Sequence, residues 1–197
     1  LAAWAMGLAA AAAIAIPIGL LLGSSRRVRD ASAAAVELLR PIPSVALIPL
    51  AILLLGRGLD MRVALVAYAS AWPILFNTIY GVRELDPLAI DTARAFGLGR
   101  SEVIRRIALP SAAPFIYTGL RVAASIALIL AVSVELIAGG APGIGTWMLA
   151  NSGAGVPREL LYAGIVVSGL LGLAINGLMV AGERRLFAWA PRLRSRL

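Results

Sequence analysis

Eighteen arginines and ten carboxylates supply the charged side chains of this 197-residue sequence, which has no lysine, histidine or cysteine. That inventory removes imidazole general bases, thiol nucleophiles, disulfides and cysteine- or histidine-based metal sites. It also removes the phosphate-cradling Gly-x-x-x-x-Gly-Lys-Ser/Thr loop, which needs a lysine. No catalytic residue, cofactor or metal site is therefore expected. What remains for chemistry is local. Glu135 is an ionisable group near the end of a long apolar run, a position that marks a candidate in a transport path or gate, or else an interfacial group paired with a neighbour. Arg121 lies about three turns into the same run and must snorkel or face protein. The segment 83–110 is the longest polar stretch.

The elements that position these residues are apolar helices. The chain is 60% hydrophobic and 14% charged, with a mean hydropathy of +0.91, against about 25% charged residues in an average soluble domain. A water-soluble enzyme and a disordered chain are both excluded. About 20 apolar residues cross the hydrocarbon layer. Residues 1–22, 63–80 and 160–182 meet that test, and 111–138 does if Arg121 is accommodated. Residues 41–56 form a shorter run whose three prolines predict an irregular entry. Residues 136–157 are uncharged but do not read as a span, because five of the eight residues from Ala138 to Gly145 are glycine or proline. A short helix near 146–150 is expected between the breakers. The result is an all-α membrane protein with five visible spans.

Arginine favours the cytoplasmic side. One set of loops and ends holds fifteen of the arginines, at 26–29, 40, 83–106, 121 and 184–196, and the other holds Arg57, Arg62 and Arg158. The C-terminus is thus expected in the cytoplasm and Leu1 outside, and a sixth, upstream helix is expected to bring the chain out. The basic tail at 184–196 reads as a topology anchor on anionic lipid. Nucleic-acid binding is not expected, because no folded basic face is evident.

Within 83–110, Asp86-Pro87 is a helix start, with aspartate as N-cap and proline at the first helical position. Leu88, Asp91, Thr92 and Ala95 share a stripe that ends at Gly97. Gly97-Leu-Gly99 supplies a turn, Ser101 is the next N-cap candidate, and Pro110 is expected to stop the second helix before the chain re-enters the membrane. This hairpin resembles the EAA motif of permease subunits in binding-protein-dependent ABC importers: Glu-Ala-Ala, three residues, Gly, nine residues, Ile-x-Leu-Pro. The matching positions are Asp91-Thr92-Ala93, Gly97, and Ile107, Leu109 and Pro110, at the family's spacing. Asp91 and Thr92 depart from the name-giving triplet. Arg40-Pro-Ile-Pro-Ser44, Pro73-Ile-Leu-Phe-Asn77, Thr118-Gly-Leu-Arg121 and Glu135-Leu-Ile-Ala-Gly139 are similar to the branch importing sulfonates, taurine, nitrate and related anions.

The resemblance implies a single type I importer transmembrane domain over 1–197. It implies a second permease copy completing the path, a cytoplasmic ATPase subunit that binds the ATP and docks on 83–110, and a solute-binding protein received by the external loop 139–158. A bacterial plasma membrane is the implied location. A secondary carrier, the alternative, would need coupling residues in the spans and often an internal repeat; a structural membrane subunit would leave the spacing unexplained. Asn77 and Asn176 are expected to donate hydrogen bonds between helices. Trp4, Trp72, Trp147 and Trp189 are expected as interface anchors or packing, and Arg57, Asp60 and Arg62 as a solvated outer turn.

Overall fold

The structure, a computed structural model, describes residues 1–140, 142–153 and 157–189, with the backbone alone at Arg100. Expectations for Arg192, Arg194 and Arg196 of the tail, and for residues 141 and 154–156 of the outer loop, lie outside the described residues.

Every regular element among the described residues is a helix. In chain order they are α1 (Ala2–Ser24), α2 (Arg26–Leu39), a 3₁₀ turn (Ser44–Leu47) leading into α3 (Ile48–Leu55), α4 (Leu59–Arg83), α5 (Pro87–Ala95), α6 (Arg100–Val103), a π-helical turn (Ile104–Ala108), α7 (Leu109–Ala138), α8 (Ile144–Ala150) and α9 (Arg158–Leu186).

The bundle is built on α4, with α1 parallel to it on one side and α7 antiparallel on the other. Lipid tails are as apolar as leucine, so helices in a membrane associate through close packing of small residues. The buried face of α1 has that pattern: Ala3, Gly7, Ala11, Ala15 and Gly19 recur every fourth residue. Gly7 abuts Val66, Gly19 abuts Thr78 and Gly23 abuts Val82. On the other side Gly119 of α7 lies so close to α4 that an added Cβ would stand 2.9 Å from the Pro73 carbonyl oxygen. Trp4 ties α1 to α7 by donating from Nε1 to the Ala124 carbonyl at 2.8 Å, a packing role that leaves its ring inside the bundle. Two layers of core follow, one around Met61, Leu65, Val66 and Val134 and one around Ile74, Leu75 and Ala123. A third, around Val82, Ala112 and Ile116, closes the far end.

Four helical stretches are long and apolar enough to cross a membrane: Ala2–Ser24, Leu59–Arg83, Ser101–Ala138 and Arg158–Leu186. The fifth crossing is a bent pair, Arg26–Leu39 with Ser44–Leu55, turning by 76°. The sequence placed Arg26 to Arg40 in a loop and the whole crossing in 41–56. Instead α2 is the first half of a broken span. The break has a simple cause. Pro41 and Pro43 have no N–H for the α2 ladder, so the helix is not carried through them, although Arg40 itself keeps helical angles of φ −57° and ψ −45°. The segment 136–157 does not cross: α7 stops where Gly139 and Gly140 take φ of 65° and 94°, and α8 is a short helix between the breakers, as expected.

Helix α9 touches the bundle along one edge. Tyr117 Oη donates to the Met179 carbonyl at 2.9 Å, and Gly164 is its sole buried residue among those described. Its outward face, with Ile165, Val166, Leu170, Leu173 and Leu178, is apolar and exposed.

Candidate functional site

The polar hairpin stands at one end of the bundle. Asp86 caps α5 by accepting from Leu88 N at 2.9 Å, with Pro87 in the first turn. Helix α5 ends in a Schellman arrangement: Leu98 N donates to the Ala93 carbonyl at 3.1 Å and Gly97 N to the Arg94 carbonyl at 2.9 Å. Gly97 sits at φ 81°, the left-handed region that glycine occupies without steric cost. An added Cβ there would meet nothing within 4 Å, so the turn opens onto free space. Ser101 does not cap the next helix. The helix begins already at Arg100, and Glu102 Oε2 reaches back to accept from Gly99 N at 3.2 Å, satisfying the N–H just ahead of the helix.

Pro110 does not stop this helix either. From Arg100 the chain runs through the π turn straight into α7, with Leu109 N bonded to the Ile104 carbonyl five residues back. A π turn is wider than an α turn. It absorbs the missing N–H of Pro110, so the hairpin's second arm and the span form one rod, Ser101–Ala138. Thr92, Ala93 and Ile107 come together, with Asp86, Leu88 and Ala89, around a cleft of about 480 Å³ between α5 and the π turn. Ala93 is buried. Asp91 points outward and pairs with Arg94 at 3.7 Å, both side chains exposed, an arrangement worth little in stability. Gly97, Leu109 and Pro110 lie outside the cleft. Phe96 beside the turn is 81% exposed and Leu88, in the first turn of α5, 70%, two large apolar groups standing open on a polar element.

Glu135 lies at the opposite end of α7 and is buried. Its Oε1 accepts from Arg62 at 3.3 Å, and its Oε2 accepts from Gly145 N at 2.9 Å. Arg62 also donates to the Gly139 carbonyl at 2.8 Å. Gly143 and Gly145 pass so near that a Cβ on Gly145 would stand 2.6 Å from Glu135 Cβ. One carboxylate thus joins the first turn of α4, the end of α7, the glycine loop and α8. Arg62 was expected to be plain solvated charge, and this is corrected: its side chain is 4% exposed, because a cation in an apolar layer is stable only where a carboxylate and a carbonyl receive it. The signal for it was available. In a five-span topology Arg62 and Glu135 fall at the same level on sequential spans, with opposite charge.

Arg121 faces protein. Its Nε donates to Asn176 Oδ1 at 3.0 Å, and it pairs with Glu183 at 3.2 Å, linking α7 to α9. Asn176 therefore does bridge helices, as acceptor. Asn77 does not: its Nδ2 donates to the Pro73 carbonyl of its own helix at 2.8 Å.

Residues 15–188 match the family described as binding-protein-dependent transport system inner membrane component. Among related proteins, the taurine transport system permease protein TauC of Escherichia coli is 31% identical over 184 residues, 93% of this chain and 66% of that one. The nitrate import permease protein NrtB of Synechocystis is 31% identical over 172 residues, 87% and 62%. The bicarbonate transport system permease protein CmpB of Synechococcus elongatus is 28% identical over 188 residues, 95% and 64%. The chain thus spans about two thirds of the length of each. A chain in an inward-facing structure of the MetNI methionine ABC transporter superposes with a TM-score of 0.79 over 93% of this chain and 92% of that one, at 19% identity, a likeness of fold. A hairpin continuous with a span, five crossings in this arrangement and the match over residues 15–188 agree, and the chain belongs to the family of binding-protein-dependent ABC importer permeases.

Proposed function

We propose that this chain lines the path of an importer for a small anion, pairs with a second copy of itself, and is driven by a separate ATPase subunit docked on 83–110. The observation that carries this reading is the unbroken rod from Ser101 to Ala138. A partner that tilts the hairpin tilts a membrane span with it, which is what coupling ATP hydrolysis to an opening path requires. Leu88 and Phe96 offer the docking face its apolar contact, and Asp91 and Arg94 its polar rim. The relatives named for taurine, nitrate and bicarbonate transport support an anionic solute. At the opposite end, the Arg62–Glu135 pair latches the glycine loop, the surface on which an extracytoplasmic solute-binding protein acts; Glu135 serves as a gate.

The test is purification of the full-length protein from its own host through a tag, with labelled-solute uptake in membrane vesicles. An ABC ATPase should co-purify, and ATP should drive accumulation of nitrate, taurine or bicarbonate. Absence of an ATPase would overturn the importer reading, and ATP-driven uptake of an uncharged solute alone would overturn the anionic one.

Orientation has its own measurement. The arginines at 26, 27, 29, 83–106 and 184–185 favour the cytoplasmic side, and they support a cytoplasmic hairpin and C-terminus in a bacterial cell. A reporter fused after Leu197 should report a cytoplasmic position, and one inserted at Ser152 an external position. Both reporters on one side would overturn the five-crossing topology.

A further inference from the structure

None of the 14 residues of α2 is buried, although the helix runs beside membrane spans. It leaves α1 at the level of Val82, where Gly23 packs. Its last carbonyl, that of Leu39, accepts from Tyr68 Oη at 2.5 Å. The stretch of α4 between those two levels rises about 21 Å at 1.5 Å per residue, the same as α2. Helix α2 therefore climbs half the bundle, and its break at 40–43 falls near mid-height. The exposed faces of the spans differ in kind. Those of α1 and α9 are apolar, with Met6, Ile14, Ile18, Leu170 and Leu173. Helix α2 starts at the hairpin end with Arg26, Arg27 and Asp30, and at the break it presents Glu37 and Arg40 beside the exposed Leu38 and Leu39. Charged groups at such depth face water-filled space or protein, not hydrocarbon.

Arg40 is the charged group at the break. Its guanidinium lies 4.7 Å from the centroid of the Phe76 ring, so one planar face is used. Arg40 enters no ion pair among the described residues, and Glu37, one turn earlier on α2, is not bonded to it. Phe76 belongs to a stripe of α4 with Tyr68 and Trp72, spaced four residues apart and joined by an edge-to-face contact of 5.8 Å between Tyr68 and Trp72. Trp72 Nε1 on that stripe is buried without an acceptor among the described residues. A guanidinium braced on its face and open along its N–H edge fits two oxygens of one oxyanion at fixed geometry.

We propose that Arg40, at the break of the α2–α3 span and braced by Phe76, binds the transported solute at mid-membrane through two oxygens of a nitrate-, sulfonate- or carboxylate-type anion. The assignment rests on the reading of the chain as an importer of small anions. It makes Arg40 a binding residue and α2 the polar wall of the path.

The chain has no cysteine, so Ser44→Cys places a single thiol just past the break. In membranes holding the full-length protein with its ATPase, the thiol is treated with a sulfonate-bearing and a trimethylammonium-bearing methanethiosulfonate. The expected result is faster modification by the anionic reagent, an anionic-to-cationic rate ratio that drops about tenfold when Arg40→Gln is added, and protection by nitrate or methanesulfonate that requires Arg40. Arg57→Gln, on the outer turn, should leave the ratio unchanged. An unreactive thiol, a ratio indifferent to Arg40, or an equal drop with Arg57→Gln would overturn the assignment. The measurement uses neither ATP nor uptake, so its failure is distinguishable from a failure of ATPase association.

Discussion

Replacing Gly97 with valine is expected to leave normal amounts of protein in the membrane, weaken ATPase co-purification about tenfold and abolish ATP-driven uptake. The cause is backbone geometry. A left-handed residue with a side chain costs about 1–2 kcal/mol, and β-branching makes φ of 81° a true outlier. The Schellman bonds from Gly97 and Leu98 hold α5 at a set angle to α6, so a residue that leaves that region must open the turn and swing α5, with Leu88, Asp91 and Phe96, away from its set angle to α6. Since 4 Å around the missing Cβ is empty within the chain, internal packing is not disturbed, and insertion is untouched. Gly97→Asn is the control, because asparagine tolerates the left-handed region; it should retain most association. Co-purification at matched expression decides. Undiminished association and full uptake by the valine variant would remove the hairpin as the coupling element.

Neutralising Glu135 is expected to act at the other end. In Glu135→Gln the Arg62 cation stays buried without its counter-charge, a loss of about 3 kcal/mol for a pair broken on one side. That corresponds to a melting temperature lowered by roughly 6–12 °C for a chain of this size. Arg62→Met should cost a similar amount. The double variant Arg62→Met with Glu135→Gln should be less destabilised than the sum, with a coupling of at least about 1 kcal/mol. Uptake should fall while the ATPase still co-purifies, because α7 separates Glu135 from the hairpin by 27 residues or about 40 Å. Thermal unfolding of the solubilised protein, uptake and co-purification together test this. Additive losses would overturn the latch, and normal uptake by the glutamine variant would overturn its role as a gate.

Much of this protein was legible in its sequence because the bilayer is so demanding a solvent. Each backbone group must be bonded within its own helix, so apolar length alone gave α1, α4, α7 and α9, and glycine and proline density alone denied a span to 136–157. Local rules reached the hairpin equally well. Asp86 as cap, Pro87 in the first turn and Gly97 at positive φ are consequences of bonds within a few residues, and so is the short helix α8.

Failures began where the outcome depended on what lay across space. Pro110 reads as a stop by its own chemistry, yet a π turn just before it lets the helix continue. Arginines 26 to 40 read as a loop by their charge, yet they lie on a helix whose polar wall the fold accommodates beside α4. Arg62 reads as solvated, since nothing near it in sequence explains burial; its partner is 73 residues away. Sequence by itself determined the four long spans, the denial of a span to 136–157, and the first arm and turn of the hairpin, because those are set by short-range bonding and by the cost of exposing a backbone to lipid. Tertiary structure alone decided which charges are paired and which stand open, because a charge is stable at membrane depth only through partners that distant spans bring to it.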